Sequence, residues 1–239
     1  MTKQSHVKRE RVGEDRGSMN QAPTIEMVTV NVGTPRLLSD SAGARVYSGI
    51  AKQPVAVGAV LWLSAGNLAG DAQADLSVHG GPDKALYAYP SEHLPTWTAE
   101  LDEELGAAAF GENLSTRGAS EGDVCIGDRW QWDDATLEVC QPRWPCFKLA
   151  LHRRRADIQG RMRSNGHTGW YLRVLEPGEV TVGSSIEVIA RDPAGLTITD
   201  AHEAMGDRHL VRRGLVEALV RHPALASEWR EPLRARLGR

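Results

Sequence analysis

Cys146 lies in the run EVCQPRWPCFKL, residues 138–149, with Arg143 and Lys148 close by in sequence. Pro142 and Pro145 stiffen this loop, because each proline fixes its own φ and restricts the residue before it. Cations beside a thiol favour the thiolate, which is both a nucleophile and a soft metal ligand. By residue type alone, Cys146 is open to three roles: nucleophile, metal ligand or buried apolar residue. Cys125 and Cys140 fall in strand-like runs and read as structural. Three cysteines form an odd set without a CxxC pair, which argues against a disulfide scaffold and against a tetrahedral zinc site.

Other polar residues stand where a chain turns. His79 precedes Gly80-Gly81, and a glycine pair allows the backbone to approach a ligand closely. An imidazole also titrates in the range that suits proton delivery. Lys52 in GIAKQPV and Lys84 after the Gly-Gly-Pro-Asp turn are candidate anion contacts, or solvated charges. Asn113 in FGEN carries an amide that donates and accepts, though asparagine also favours turns for its own sake. Glu112 either orients a ligand or pairs with Arg117. Arg153, Arg154, Arg155, Arg161 and Arg163 form a basic run. Such a run is a solvated helical face, or a dock for an acidic protein partner.

The elements that would position these residues are mostly strands. IEMVTVNVG (25–33) alternates and is rich in β-branched residues. Short apolar runs follow at 47–55, 56–63, 74–80 and 84–90, punctuated by Gly and Pro. Residues 124–132 and 135–142 flank Asp133-Asp134 as a hairpin-like pair, and 170–180 and 184–191 close the series. Many short strands with Gly/Pro punctuation predict a β-barrel rather than a βαβ sheet. Helical patches interrupt it at 91–105 and at 148–166, the second closing on Asn165-Gly166 as a C-cap. After Asp192-Pro193 the spacing becomes helical, with Leu210, Val211, Leu215, Val216, Leu219 and Val220 on one stripe. Asp200 is the expected N-cap, and Pro223 and Pro232 divide the segment into three short helices. The expected organisation is a disordered arm at 1–22, a barrel at 23–192 and a three-helix domain at 193–239.

A chain of 239 residues with 41% hydrophobic residues can bury a sizeable core. A net charge of -3 gives no global basic field, which argues against nucleic acid as the main partner, the arginines of the C-terminal segment notwithstanding. Charges without an apolar stretch behind them open the chain, and the longest apolar run, Pro54 to Leu63, contains Gly58 and reads as a strand. A cytoplasmic protein without membrane contact is expected.

Four segments in order carry a family resemblance: SVHGGPDKALYAYP (77–90), FGENLSTRG (110–118) with EGDVCIGDRW (121–130), QPRWPCFKL (141–149) and NGHTGWYLRVLEPGEV (165–180). Together they resemble the MOSC family, in its YiiM subgroup, over about Val28 to Ala190. The helical tail resembles the unit appended in that subgroup. The resemblance implies a MOSC-type β-barrel that binds a molybdenum cofactor, with Cys146 as the protein's sulfur ligand to the metal. It implies Lys52 at the cofactor's phosphate, and Arg143, Lys84, Asn113 and Thr168 as further cofactor contacts. His79 is a candidate proton donor by its chemistry, or a strand-end histidine closing the glycine turn, and Trp170 is expected to be a packing residue. The activity implied is reduction of N-hydroxylated small molecules such as 6-hydroxylaminopurine, a detoxifying reaction. Electrons would come from a separate flavoprotein, since the chain shows no flavin, haem or iron–sulfur motif of its own. A non-catalytic carrier of the cofactor, or of sulfur for metal–sulfur cluster assembly, is the alternative, and a homodimer is compatible with the apolar stripe at 210–220.

Overall fold

The computed structural model describes residues 22–41, 44–74 and 80–238. The expected N-terminal arm, but for its last residue, and His79 therefore lie outside the described residues. Among the described residues, twelve strands and six α-helices build a sheet-rich half-barrel with helices. Its frame is an eight-stranded sheet in the order β12-β8-β9-β10-β6-β7-β1-β4. These are β1 (Glu26–Val32), β4 (Gln53–Pro54), β6 (Leu86–Pro90), β7 (Leu114–Arg117), β8 (Arg129–Trp132), β9 (Ala135–Pro142), β10 (Trp170–Glu176) and β12 (Ile186–Ala190). Only β6 and β7 run parallel; the other neighbours are antiparallel. A single bridge between Ile25 and Ile186 ties the start of β1 back to β12, drawing the sheet round on itself. Two small ribbons complete the β structure: β2 (Arg36–Ser41) with β3 (Ala44–Ser48), and β5 (Val60–Leu63) with β11 (Gly178–Thr181).

The sheet curls because one face is almost wholly apolar. Trp130, Trp132, Leu137, Val139, Trp170 and Leu172 are buried inside it, and Trp130 meets Trp170 edge-on at 5.9 Å. The packing role expected of Trp170 is thus what the structure shows. Every residue of β9 is buried, which makes it the rigid spine from which the Cys146 loop departs. Trp170→Ala would leave a large void in this core and should cost about 3–5 kcal/mol. A lowered urea midpoint with unchanged slope would show it.

The C-terminal segment folds into α4 (Ile198–Gly206), α5 (Arg213–Arg221) and α6 (Ser227–Leu237). Ile198, Ala201, Val216, Leu219, Trp229 and Leu233 join the barrel's own core cluster. The expected N-cap, Asp200, is displaced by three residues. Thr197 caps α4 and Asp200 is the N3 partner of its capping box, since a hydroxyl followed by an acid three residues later satisfies two free amides at once. The helix expected over 148–166 is two: α2 (Phe147–Arg153) and α3 (Ile158–Asn165), broken where Arg154 turns left-handed at φ 52°. Gly166 closes α3 in the left-handed region, as its sequence position predicts. Pro95 starts rather than breaks α1 (Leu94–Leu101), where a missing N–H costs nothing. The ribbon β2–β3 has a first strand, RLLSDS, that the apolar pattern of the sequence does not predict.

Candidate functional site

One cavity gathers residues from six segments separated in sequence. Its walls include Lys52, Asp71, Lys84, Asn113, Arg143 and Cys146, with Tyr87, Lys148 and Tyr171. Five of the residues expected at a site, Lys52, Lys84, Asn113, Arg143 and Cys146, thus meet in one place. Thr168 does not reach it. It is fully buried, and its carbonyl accepts the Tyr87 hydroxyl at 2.9 Å, so it braces a wall residue from behind.

Cys146 leaves the end of β9 through Pro142–Pro145 and stands at the N-cap of α2, with extended backbone at φ −109°, ψ 172°. Serine, threonine, aspartate and asparagine are the usual residues there, because their side chains cap the helix. Cys146 makes no side-chain cap, so it gives up that stabilisation and keeps a partly exposed sulfur at the cavity. The other two thiols are withdrawn from chemistry. Burial pushes Cys125 up to about 11 and raises Cys140 still further. Cys140 also touches the carbonyls of Asp83 and Tyr171.

Arg143 is 5% exposed, and its guanidinium lies 4.8 Å from the Tyr87 ring centroid. Its backbone N–H donates to the Gly169 carbonyl at 3.1 Å. Among the described residues it forms no salt bridge; its side chain donates to the Met162 sulfur at 3.6 Å. Lys148, 8% exposed in the first turn of α2, forms no salt bridge among them either. Buried cations are normally paired. Two without a salt bridge among the described residues leave positive charge at one cavity, Arg143 acting also on the buried Glu112 carboxyl.

Lys52 is different. Its ammonium pairs with Asp71, whose other oxygen accepts the Asn113 amide at 3.0 Å and whose first oxygen also takes the Gly33 N–H at 2.9 Å. Burial lowers the Lys52 pKa, with Asp71 opposing part of that shift. The solvated-charge alternative for Lys52 does not hold. Asn113 spends its remaining capacity on the Asn31 carbonyl at 3.2 Å and the Tyr87 N–H at 3.1 Å, so its amide holds three loops together at the cavity wall.

Below them Glu112, 1% exposed, accepts the Phe110 N–H and the Ser115 hydroxyl, both at 3.0 Å. It is not Arg117's partner; Arg117 faces Glu26 at 3.7 Å. Burial raises the Glu112 pKa above the usual carboxylate range. A carboxyl whose folded pKa is raised costs nothing while protonated in both states, and costs stability once pH exceeds its unfolded value. Glu112→Gln should therefore gain stability on wild type as pH rises from about 5 to about 8, read by urea titration at each pH. A constant difference across that range would contradict this.

Two glycines have no substitute here. Gly111, at φ 82°, would drive a Cβ into Ile50, and Gly169, at φ 63°, into the Ala88 carbonyl. Both let neighbouring loops close on the cavity.

Asp71, Tyr87 and Tyr171 are wall residues that the sequence does not single out, although the two tyrosines lie within the family-like segments. A lone aspartate in GNLAGDAQAD carries no pattern, whereas Tyr87 and Tyr89 alternate along KALYAYP and mark the strand's two-residue period. The basic run at 153–163 is largely neutralised by local acids. Arg153 pairs with Glu103 at 2.5 Å, Arg155 with Asp157 at 3.5 Å, and Arg161 with both Asp157 and Glu100. Among the described residues there is no cluster of three or more His, Cys, Asp or Glu able to hold a metal unaided, and no helix long and apolar enough to cross a membrane.

The sheet, the loop-borne thiol and its cationic surround agree with the resemblance to the MOSC family, and similarity to known proteins shows that family. The MOSC domain model matches residues 75–187. Uncharacterized protein YflK of Bacillus subtilis is 38% identical over 85% of this chain and 90% of its own length. Protein YiiM of Escherichia coli is 44% identical over 60% of this chain and 65% of its own length. A protein named "Reductase" in Gibberella moniliformis is 36% identical over 72% of this chain, which spans only 31% of that protein. The crystal structure of YiiM from Geobacillus stearothermophilus superposes with a TM-score of 0.74 at 31% identity, covering 89% of this chain and 99% of that one. The chain belongs to the MOSC-domain family, in its YiiM subgroup.

Proposed function

We propose that this chain is a molybdenum-cofactor-dependent reductase of N-hydroxylated compounds, 6-hydroxylaminopurine among them, and so a detoxifying enzyme. The observation that supports the reading most is the partly exposed Cys146 sulfur beside two buried cations, Arg143 and Lys148, that have no salt-bridge partner among the described residues. A resident group that is both thiophilic and anionic fits that donor set. The relative named as a reductase points the same way. The cavity itself measures about 90 Å3, less than a closed cofactor site of roughly 300–1,000 Å3. It therefore suits the metal and anionic ends of a cofactor rather than its whole body.

When bound, the molybdenum cofactor would supply a two-electron centre able to accept oxygen from an N–OH group. Cys146 would hold the metal through its thiolate. Arg143 and Lys148 would offset anionic charge, and Lys84 would add to them from the 3-10 turn Pro82–Lys84. Lys52 gives one donor to Asp71, and an ammonium has three, so it can still reach a phosphate. The overall conversion takes an N-hydroxylated amine, two electrons and two protons to the amine and water. His79 is the proposed proton donor. A separate flavoprotein is the proposed source of electrons. The test is multiple turnover: cofactor-loaded protein with a flavoprotein reductase should convert 6-hydroxylaminopurine to adenine many times per chain. A single stoichiometric event, or none, would favour a carrier.

A further inference from the structure

The third C-terminal helix reaches the cavity's cations. Glu228, in the first turn of α6, lies 2.5 Å from the ammonium of Lys84, and Lys84 lines the Cys146 cavity. The two side chains are unequal: Lys84 is 11% exposed and Glu228 53%. Their backbones, by contrast, are fixed by common ties. Arg173 pairs with Asp83, next to Lys84, at 2.9 Å, and donates to the Ala224 carbonyl at the start of the α6 approach, also at 2.9 Å. The Ala226 N–H donates to the Cys140 carbonyl of β9 at 3.0 Å. Trp229 is buried and meets Trp144 of the cysteine loop edge-on at 5.8 Å.

We infer that Glu228 is a positioning residue of the site, a carboxylate that holds Lys84 until an anionic ligand takes its place. A carboxylate rooted on a pinned helix but half open to water is a weak partner, worth little beside a doubly charged anion. Glu228 is not among the residues lining the cavity, so it and a ligand inside draw the flexible Lys84 side chain to different places and compete for its position, spare donors notwithstanding. The C-terminal helices thereby set how tightly the cavity binds anions, a role distinct from filling the core. The inference rests on the cavity being an anion site, but on neither molybdenum nor the reaction.

The competition is measured with inorganic phosphate as probe. Calorimetry on the full-length chain from a host that makes no molybdenum cofactor gives its Kd for wild type, Glu228→Gln, Lys84→Met and the double variant. Glu228→Gln should bind phosphate about three- to fivefold tighter than wild type. Lys84→Met should bind it more weakly, and adding Glu228→Gln to Lys84→Met should then change nothing. Equal affinities for wild type and Glu228→Gln would overturn the latch while leaving the anion site in place. A gain that persists without Lys84 would reduce Glu228 to a general negative field. Weaker binding by Glu228→Gln would make it a structural prop. No binding by any of the four would overturn the anion site and the latch together.

Discussion

Cys146→Ser should lower turnover of an N-hydroxylated substrate by at least about a thousandfold while the protein stays as stable as wild type or gains slightly. The two halves of that result have separate physical origins. A hydroxyl replaces the soft ligand with a poor one for a thiophilic metal, and no other described thiol can stand in, since Cys125 and Cys140 are buried with raised pKa values. The fold, however, meets residue 146 at the N-cap of α2 with extended backbone and no capping bond. Serine is among the best residues for that position, and its cap is worth about 1 kcal/mol. Steady-state kinetics and thermal unfolding on the same samples read both halves. Lost activity accompanied by a large drop in melting temperature would instead mark Cys146 as a packing residue.

Arg143→Met should weaken the cofactor or a phosphate probe by about two orders of magnitude, an effect of about 2–3 kcal/mol, and yet should not destabilise the empty protein. The guanidinium is almost fully buried and forms no salt bridge among the described residues, its company being the Tyr87 ring, the Met162 sulfur, Tyr171 and Cys146. Holding such a charge out of water opposes folding, and an apolar residue of similar length relieves that. If Arg143 were instead a structural cation, the methionine variant would lose stability and keep its affinity. Paired measurements of phosphate affinity and of the urea midpoint separate the two cases.

Much of the site is legible in the sequence, because the residues that line it stand beside turn-forming glycines and prolines. Cys146 follows Pro145 beyond the end of β9, while Asn113, two residues after Gly111, and Lys84, after Gly80-Gly81-Pro82, stand just before β7 and β6, so all three lie in turns that flank strands. Pairing across long separations is not legible. Nothing in GIAKQPV says that Lys52 is neutralised by Asp71, nineteen residues on, or that Asn113 spends its amide on that same carboxylate. Thr168 looks like a ligand because it sits in a loop motif, but burial turns it inward to hold Tyr87.

The fold divides in the same way. Strands with β-branched alternation, such as β1, read clearly, and so does the Gly166 cap. The break between α2 and α3 carries no glycine or proline; Arg154 takes the left-handed conformation there without any local signal. RLLSDS does not read as a strand because its serines and aspartate are turn formers in isolation, and pairing with β3 overrules them. The C-terminal helices are visible from periodicity, but not that Glu228 among them meets Lys84.

The central claim is that Cys146 holds a molybdenum cofactor. Molybdenum content per chain, measured by mass spectrometry on wild type and Cys146→Ser from a host that makes the cofactor, tests it most directly. Near-stoichiometric metal in wild type, with loss of metal or of activity in the variant, is the predicted result. No molybdenum in either protein, with cofactor supply verified in the host, would contradict it.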